Sequence, residues 1–300
     1  MLGTVESRAK LACLGAGAVW GLFWIPLRGL EHAGLHQLWV ITLYFAVPSL
    51  IVLPIAALRW RHFARGGLDL QITILASGVA LVLYSMSIIY TEVVRAILLF
   101  YLMPIWGALL GWVVLKEAIT PLRFAAMALA FTGMLTIFGL GLRVPLPQNI
   151  GDWMGLASGV AWAVVAVRIR ANPVHEAVDL TVGFFLWGIV MALGAALLLA
   201  PAGVASVGQA GPAMPMLIAF VVVLVIPGTY LSLWGPKHLN PGVVGLLFMT
   251  EIVVGAISAA WLSGEPFGLR ETLGVLLIAG ASLLEPLARL MRRRAPGGRA

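Results

Sequence analysis

The sequence predicts an all-α integral membrane protein, with ten transmembrane helices arranged as two inverted five-helix repeats. Three observations predict it. The chain is a series of apolar runs with little charge, its Lys and Arg residues fall unevenly between those runs, and segments of its first half recur in its second.

The composition sets the solvent. Of 300 residues, 61% are hydrophobic and 10% are charged, and mean hydropathy is +1.03. A water-soluble domain carries about 25% charged residues. Too few charges are present here to build a water-facing surface, so lipid is the medium. The net charge of +7 does not indicate nucleic acid, because the basic residues sit in short gaps between apolar runs. Cys13 is the single cysteine, which excludes an intramolecular disulfide and a cysteine metal cluster. Arg8 and Lys10 precede an apolar run as in a signal peptide. The run to Leu27 is too long for one and no small-residue cleavage site follows, so it is read as the first span.

Apolar spans are expected at 10–28, 37–58, 70–89, 94–115, 121–140, 152–169, 180–200, 213–234, 243–262 and 270–289. Each is long enough, at about 20 residues, to cross a hydrocarbon core of roughly 30 Å. An open strand edge cannot be satisfied in hydrocarbon, so the spans are helices. Turn and charge signals fill the gaps: Arg59 to Asp69, Pro121, Pro145 to Pro147, Asn172-Pro173, Pro201 to Pro212, Gly235-Pro236, and Gly264 to Arg270. Pro26, Pro48, Pro54, Pro104 and Pro227 lie within or near the ends of spans, where membrane helices tolerate them.

Alternate gaps face opposite sides. One side then holds only Arg28, Arg95, Arg143 and Arg270, and the other holds the remaining 15 of the 19 Lys and Arg residues. The positive-inside rule makes the basic side cytoplasmic, with both termini inside. A missed or extra span would invert every later gap and blur that ratio.

The stretch from Tyr90 to Glu117 recurs 148 positions later: Leu246, Leu247 and Phe248 match Leu98, Leu99 and Phe100, Gly255-Ala256 match Gly107-Ala108, and Glu265 matches Glu117. LGAGAVWG, ending at Gly21, resembles LASGVAWA, ending at Ala163, with Trp20 over Trp162. The repeats are therefore 1–145 and 150–290, followed by a basic cytoplasmic tail at 291–300. Five spans per half is an odd number, so the second half starts from the opposite side and the repeats are inverted. That architecture places a substrate site near the midplane between repeats, as in secondary transporters.

Polar groups inside spans need a partner or a cavity. Thr73, Ser77, Tyr84, Ser87 and Thr91 recur at helical steps on one face of the third span. They read either as interhelical hydrogen bonds or as a cavity wall. Tyr101, Pro104 and Ala108 share a face of the fourth span, and Pro104 frees a backbone carbonyl and lets the helix bend, which suits a gate. Glu251 sits near the middle of the ninth span. A carboxylate there costs roughly 2.5–3.5 kcal/mol on insertion scales. It reads as a proton-coupling or substrate-ammonium group, or as a protonated carboxyl bonded to a neighbouring helix. Lys237 and His238 read as topology charges at the entrance to that span, with a gating role as the alternative.

Of 11 tryptophans, Trp39, Trp60, Trp112, Trp153, Trp234 and Trp261 fall near span ends and fit an interfacial belt. Trp20, Trp24, Trp106, Trp162 and Trp187 do not. Trp20 and Trp162 lie beside Gly17, Gly21 and Gly159. They are either close-packing elements or a pair of aromatic walls around a flat or cationic ligand. No phosphate-binding glycine loop and no HExxH pair occurs, and His32, His36, His62, His175 and His238 all lie outside span centres. No enzyme activity, cofactor or metal site is expected. The rival classes are a membrane-embedded transferase and a passive channel.

These residues resemble the drug/metabolite transporter superfamily, and within it the EamA-type carriers, over about residues 8–290. The resemblance rests on Trp20 and Trp162 in each first helix, the aromatic-x-x-Pro centre from Tyr101 to Pro104, and the closing Glu117 and Glu265. Ile252 stands where the second half would carry that proline. The run from Glu92 through Pro104 is similar to the aromatic amino-acid exporters of the YddG type. The resemblance implies an exporter in a bacterial inner membrane working by alternating access. Its partners are a small-molecule substrate and the lipid bilayer, with no nucleic acid, and a monomer is expected. The expected substrates are aromatic amino acids, followed by threonine or homoserine and by hydrophobic cations. The expected substrate wall is Trp20, Ser77, Tyr84, Tyr101, Trp162 and Glu251, with Pro104, Glu251 and His238 for gating or coupling.

Overall fold

The computed structural model describes residues 4–32, 34–139, 146–201, 207–263 and 267–294, and every regular element among them is helical. Arg143 and Glu265, read above as a topology charge and as the closing residue of the second repeat, lie outside the described residues. The first half contains α1 (Val5–Trp20), α2 (Trp24–His32), α3 (Gln37–Leu58), α4 (Trp60–Tyr90), α5 (Val93–Phe100), α6 (Met103–Leu115) and α7 (Pro121–Ile137). The second contains α8 (Ile150–Ala171), α9 (Ala177–Leu199), α10 (Met214–Phe220), α11 (Ile226–Trp234), α12 (Pro241–Phe248), α13 (Thr250–Ser263) and α14 (Leu269–Arg294).

Helix starts are written locally. Thr120 and Asn149 accept from the backbone N–H three residues on, and Asn240 from Gly242. Pro121 and Pro241 take the first helical position, where a missing N–H costs nothing.

Among the described residues, 8 helical segments are long and apolar enough to cross a membrane: Val5–Leu27, Gln37–Leu58, Trp60–Tyr90, Arg95–Leu115, Ile150–Ala171, Ala177–Leu199, Ala210–Lys237 and Pro241–Leu262. The helix α7 is apolar but shorter, at 17 residues. It packs along α14. Side chains exposed on the bundle are largely apolar, including Leu58 at 84%, Leu198 at 84% and Trp261 at 85%. Facing water they would be a liability; facing lipid they are at home.

Four features differ from the sequence expectation. The gap at 59–69 is helical, and the change of direction is made at Gly67, whose φ of 56° suits glycine alone. The first span is divided at Gly21–Phe23, after which α2 continues to His32. The eighth span holds a π-helical turn at Val221–Val225 between α10 and α11. The ninth span is interrupted at Met249 without any proline, since Ile252 keeps its N–H and turns it to the Met249 carbonyl at 3.1 Å.

Packing crosses between halves. The helix α1 lies against α11, α12 and α13, while α8 lies against α4, α5 and α6. The pairs α3 with α9, α6 with α12 and α7 with α14 also join the halves. Matching α1 with α8, α3 with α9, α4 with α11, α5 with α12, α6 with α13 and α7 with α14, each of these pairings except α6 with α12 turns into another of them or into itself.

Candidate functional site

The site lies where two broken helices meet. Pro104 has no N–H, so the carbonyl of Phe100 loses its helical donor, and the helix is interrupted between Phe100 and Met103. The second interruption, after Phe248, falls 148 positions later in the chain. Each is covered by a glycine of the other half. A Cβ on Gly159 of α8 would fall 2.5 Å from the Phe100 oxygen, and a Cβ on Gly17 of α1 would fall 2.9 Å from the Phe248 oxygen. Only glycine permits so close an approach.

Tyr101 joins the two interruptions. Its hydroxyl lies 2.6 Å from Glu251 Oε2 and 3.2 Å from the Phe248 carbonyl oxygen. One phenolic proton can serve only one of these acceptors at a time. Beside this pair is a cavity of about 500 Å³ lined by Trp20, Phe23, Ala80, Leu81, Tyr84, Phe100, Met103, Trp162, Phe184, Phe248 and Glu251. The rings interlock: Tyr84 lies 4.5 Å from Phe100, and Trp162 lies 6.5 Å from Phe184 and 6.3 Å from Phe248, centroid to centroid. Trp20 is fixed by donating its indole N–H to Ser232 at 2.9 Å. Trp24 donates to Ser258 at 3.0 Å.

Four of the expected wall residues, Trp20, Tyr84, Trp162 and Glu251, line the cavity, and Tyr101 is hydrogen-bonded behind it. Ser77 does not join them: it is buried and donates to the Ile74 carbonyl of its own helix at 2.7 Å. Most of the third-span stripe is interhelical bonding. Ser87 donates to the Gly151 carbonyl and Thr91 to Asp152, each at 2.7 Å, and Thr73 accepts from Arg168 at 3.0 Å. Pro104 packs against Gly245 rather than facing the cavity. His238 stands outside it, with its ring 4.9 Å from Trp234. Burial, together with Lys237 and Arg170, holds the His238 imidazole below its ordinary pKa. The sequence reading missed Phe23, Phe100, Phe184 and Phe248 as wall residues. Phe100 and Phe248 carried a signal: they are a repeat-matched pair flanking Tyr101 and Glu251 in the chain.

Charges read as topology markers are paired. Asp69 accepts from Arg168 at 2.6 Å, from Asn172 at 2.8 Å, and lies 2.7 Å from His175. Lys237 donates to the His175 carbonyl, Arg170 donates to the Lys237 carbonyl and to Glu117, and Asn240 also donates to Glu117. This chain of bonds ties Asp69 and Glu117 of the first half to four segments of the second. A second cluster joins Arg95 and Thr91 to buried Asp152. A third joins Arg59 to Asp179 at 2.5 Å and to Glu176 at 3.0 Å.

The bundle is apolar and helical, and its aromatic cavity carries one carboxylate. Residues 7–139 match the model of the EamA-like transporter family. A solved structure titled "Crystal structure of protein" shares the fold, with a TM-score of 0.74 at 17% identity over 94% of this chain and 99% of that one. No curated protein matches the sequence.

Proposed function

We propose that the protein is a secondary carrier that moves a small metabolite by alternating access. Its ten spans form an inverted five-plus-five repeat, α7 and α14 completing the count. The exchange of pairings between halves supports the two-fold relation, as do the matched contacts of Gly17 with Phe248 and Gly159 with Phe100. The basic end, with Arg59, Asp69, Arg168, Arg170 and Lys237, is cytoplasmic by the positive-inside rule, in a bacterial inner membrane.

The observation that carries the reading is the cavity shared by both halves at their two interruptions, with Tyr101 bonded to Glu251 behind it. Its walls suit a ligand with a flat apolar part and an amine head. The ring can lie against Trp20 or Trp162, and the ammonium can meet Glu251 or a ring face. Aromatic amino acids, the substrates expected from the sequence, meet that description through ring and ammonium. The single acid and the absence of any histidine or lysine among the described lining residues favour a carrier over a transferase.

A single cysteine at Ala80, on the cavity wall, tests the reading. Membrane-impermeant thiol reagents should label it from either side of sealed vesicles, in proportions that change with ligand. Labelling from one side only, unaffected by any ligand, contradicts alternating access. Product formation or uninhibited ion current from the reconstituted protein would establish the transferase or the channel instead.

A further inference from the structure

The cavity's polar inventory is one-sided. Among its described lining residues Glu251 is the one charged group, and no Arg, Lys or His faces it. Three donors nearby are engaged: the Trp20 indole with Ser232, the Trp24 indole with Ser258, and the Tyr101 hydroxyl with Glu251 or the Phe248 carbonyl. A second observation points to a ligand. The Tyr44 hydroxyl is buried, with the residue 1% exposed, and has no hydrogen-bond partner. Its ring lies 4.5 Å from Phe23 and 6.5 Å from Trp20, both wall residues. A buried hydroxyl left unpaired is destabilising, so such a group is retained where something else completes it.

Resting on the carrier reading, we propose that the site selects aromatic amines that carry no carboxylate, over the corresponding amino acids. An ammonium finds Glu251 and the faces of Trp20 and Trp162, and the Tyr44 hydroxyl, beside two wall residues, can accept from it. A ligand carboxylate finds no cation among the described lining residues, and it brings a second negative charge into a largely apolar space beside Glu251. Removing a carboxylate from water without a partner is far more costly than removing one that is paired. An amino acid therefore gives back at its carboxylate much of what its ring and ammonium gain.

The selection is also pH-dependent. Protonation of Glu251 removes the one charge that distinguishes an ammonium from a hydroxyl, so acid should weaken amine binding and leave a neutral alcohol unaffected. The other titratable side chains in the field of Glu251 are phenols: Tyr44 on α3, Tyr84 on α4 and Tyr101 between α5 and α6.

Binding to the purified, full-length protein in detergent tests this without requiring transport. The probes are 2-phenylethylamine, phenylalanine, 3-phenylpropionate and 2-phenylethanol, read by calorimetry. We expect 2-phenylethylamine to bind at least about tenfold more tightly than phenylalanine, with 3-phenylpropionate weakest. Glu251→Gln should remove the advantage of the amine over the alcohol. Tyr44→Phe should weaken the amine severalfold while leaving the unfolding temperature unchanged or raised, a combination that a purely structural tyrosine does not give. Phenylalanine binding as tightly as the amine, or more so, overturns the head-group selection and leaves the carrier reading in place. Failure of all four probes to bind the folded protein overturns the selection as well, and two-sided labelling at Ala80 then decides the carrier reading separately.

Discussion

Tyr101 and Glu251 are hydrogen-bonded at 2.6 Å across the two halves of the bundle, at the point where both central helices are interrupted. Tyr101 is fully buried. Tyr101→Phe keeps the ring but leaves the carboxyl and the Phe248 carbonyl without their donor. A hydrogen bond to a charged group contributes about 1.5–3 kcal/mol, so a loss of that order is expected in denaturant unfolding. Glu251→Gln keeps an acceptor for Tyr101 and should lose less. Equal stability of Tyr101→Phe and wild type would contradict the structural role of the bond.

Gly17 and Gly159 should behave as equivalents. An added methyl at either meets a backbone carbonyl, which cannot swing aside as a side chain can. Overpacking of this kind costs about 1–3 kcal/mol. Gly17→Ala and Gly159→Ala should therefore both lower the unfolding temperature. Gly194→Ala, with nothing within 4 Å of its new methyl, should not. A neutral Gly159→Ala would contradict the close approach of α8 to the Phe100 interruption.

The bonds around Asp69 and Glu117 form a latch between the halves at the basic end. The Asp69 and Arg168 side chains are 42% and 28% exposed, and exposed ion pairs contribute only about 0–1 kcal/mol each. Linked as a network they hold several segments at once. Asp69→Asn with Glu117→Gln should leave the fold intact and speed labelling of the Ala80 cysteine from this end severalfold. Unchanged labelling would mean the network does not close that end.

His238 is expected to play no part in the pH response of transport. Its pKa is lowered by burial, then by Lys237 and Arg170, so it takes up a proton less readily than a free imidazole. Below about pH 6.5 the unfolded chain binds a proton that the folded one resists, so this residue subtracts stability as pH falls. His238→Gln should flatten that acid loss in an unfolding series and leave the transport pH profile unchanged. A profile altered by His238→Gln would restore the gating role read from its position.

Eight of the ten expected spans were legible in the sequence because twenty-residue apolar runs have few alternatives in lipid. Trp20 and Trp162 stood out as a repeat-matched pair, Tyr84 and Tyr101 as tyrosines on helix faces, and Glu251 as a mid-span carboxylate; Trp20, Tyr84, Trp162 and Glu251 line the cavity. The interruption at Met249 was not legible: no proline marks it, and it is the packing of Gly17 and the reach of Tyr101 that hold it. Ser77 misled because a serine on a polar stripe can satisfy itself on its own helix. Asp152 and Asp179 drew no notice because carboxylates near span ends look solvated, and only the fold shows Arg95 and Arg59 beside them.

Counterflow in liposomes tests the central claim most directly. Vesicles containing purified protein and preloaded with unlabelled 2-phenylethylamine should take up the labelled amine faster than unloaded vesicles, with saturation. Trp162→Ala, which removes a wall of the cavity without touching the charge network, should lower that rate at least about tenfold, the scale of losing one well-placed ring contact. Uptake that is linear in concentration and indifferent to preloading, or a Trp162→Ala protein exchanging at the wild-type rate, would contradict a carrier working through this cavity.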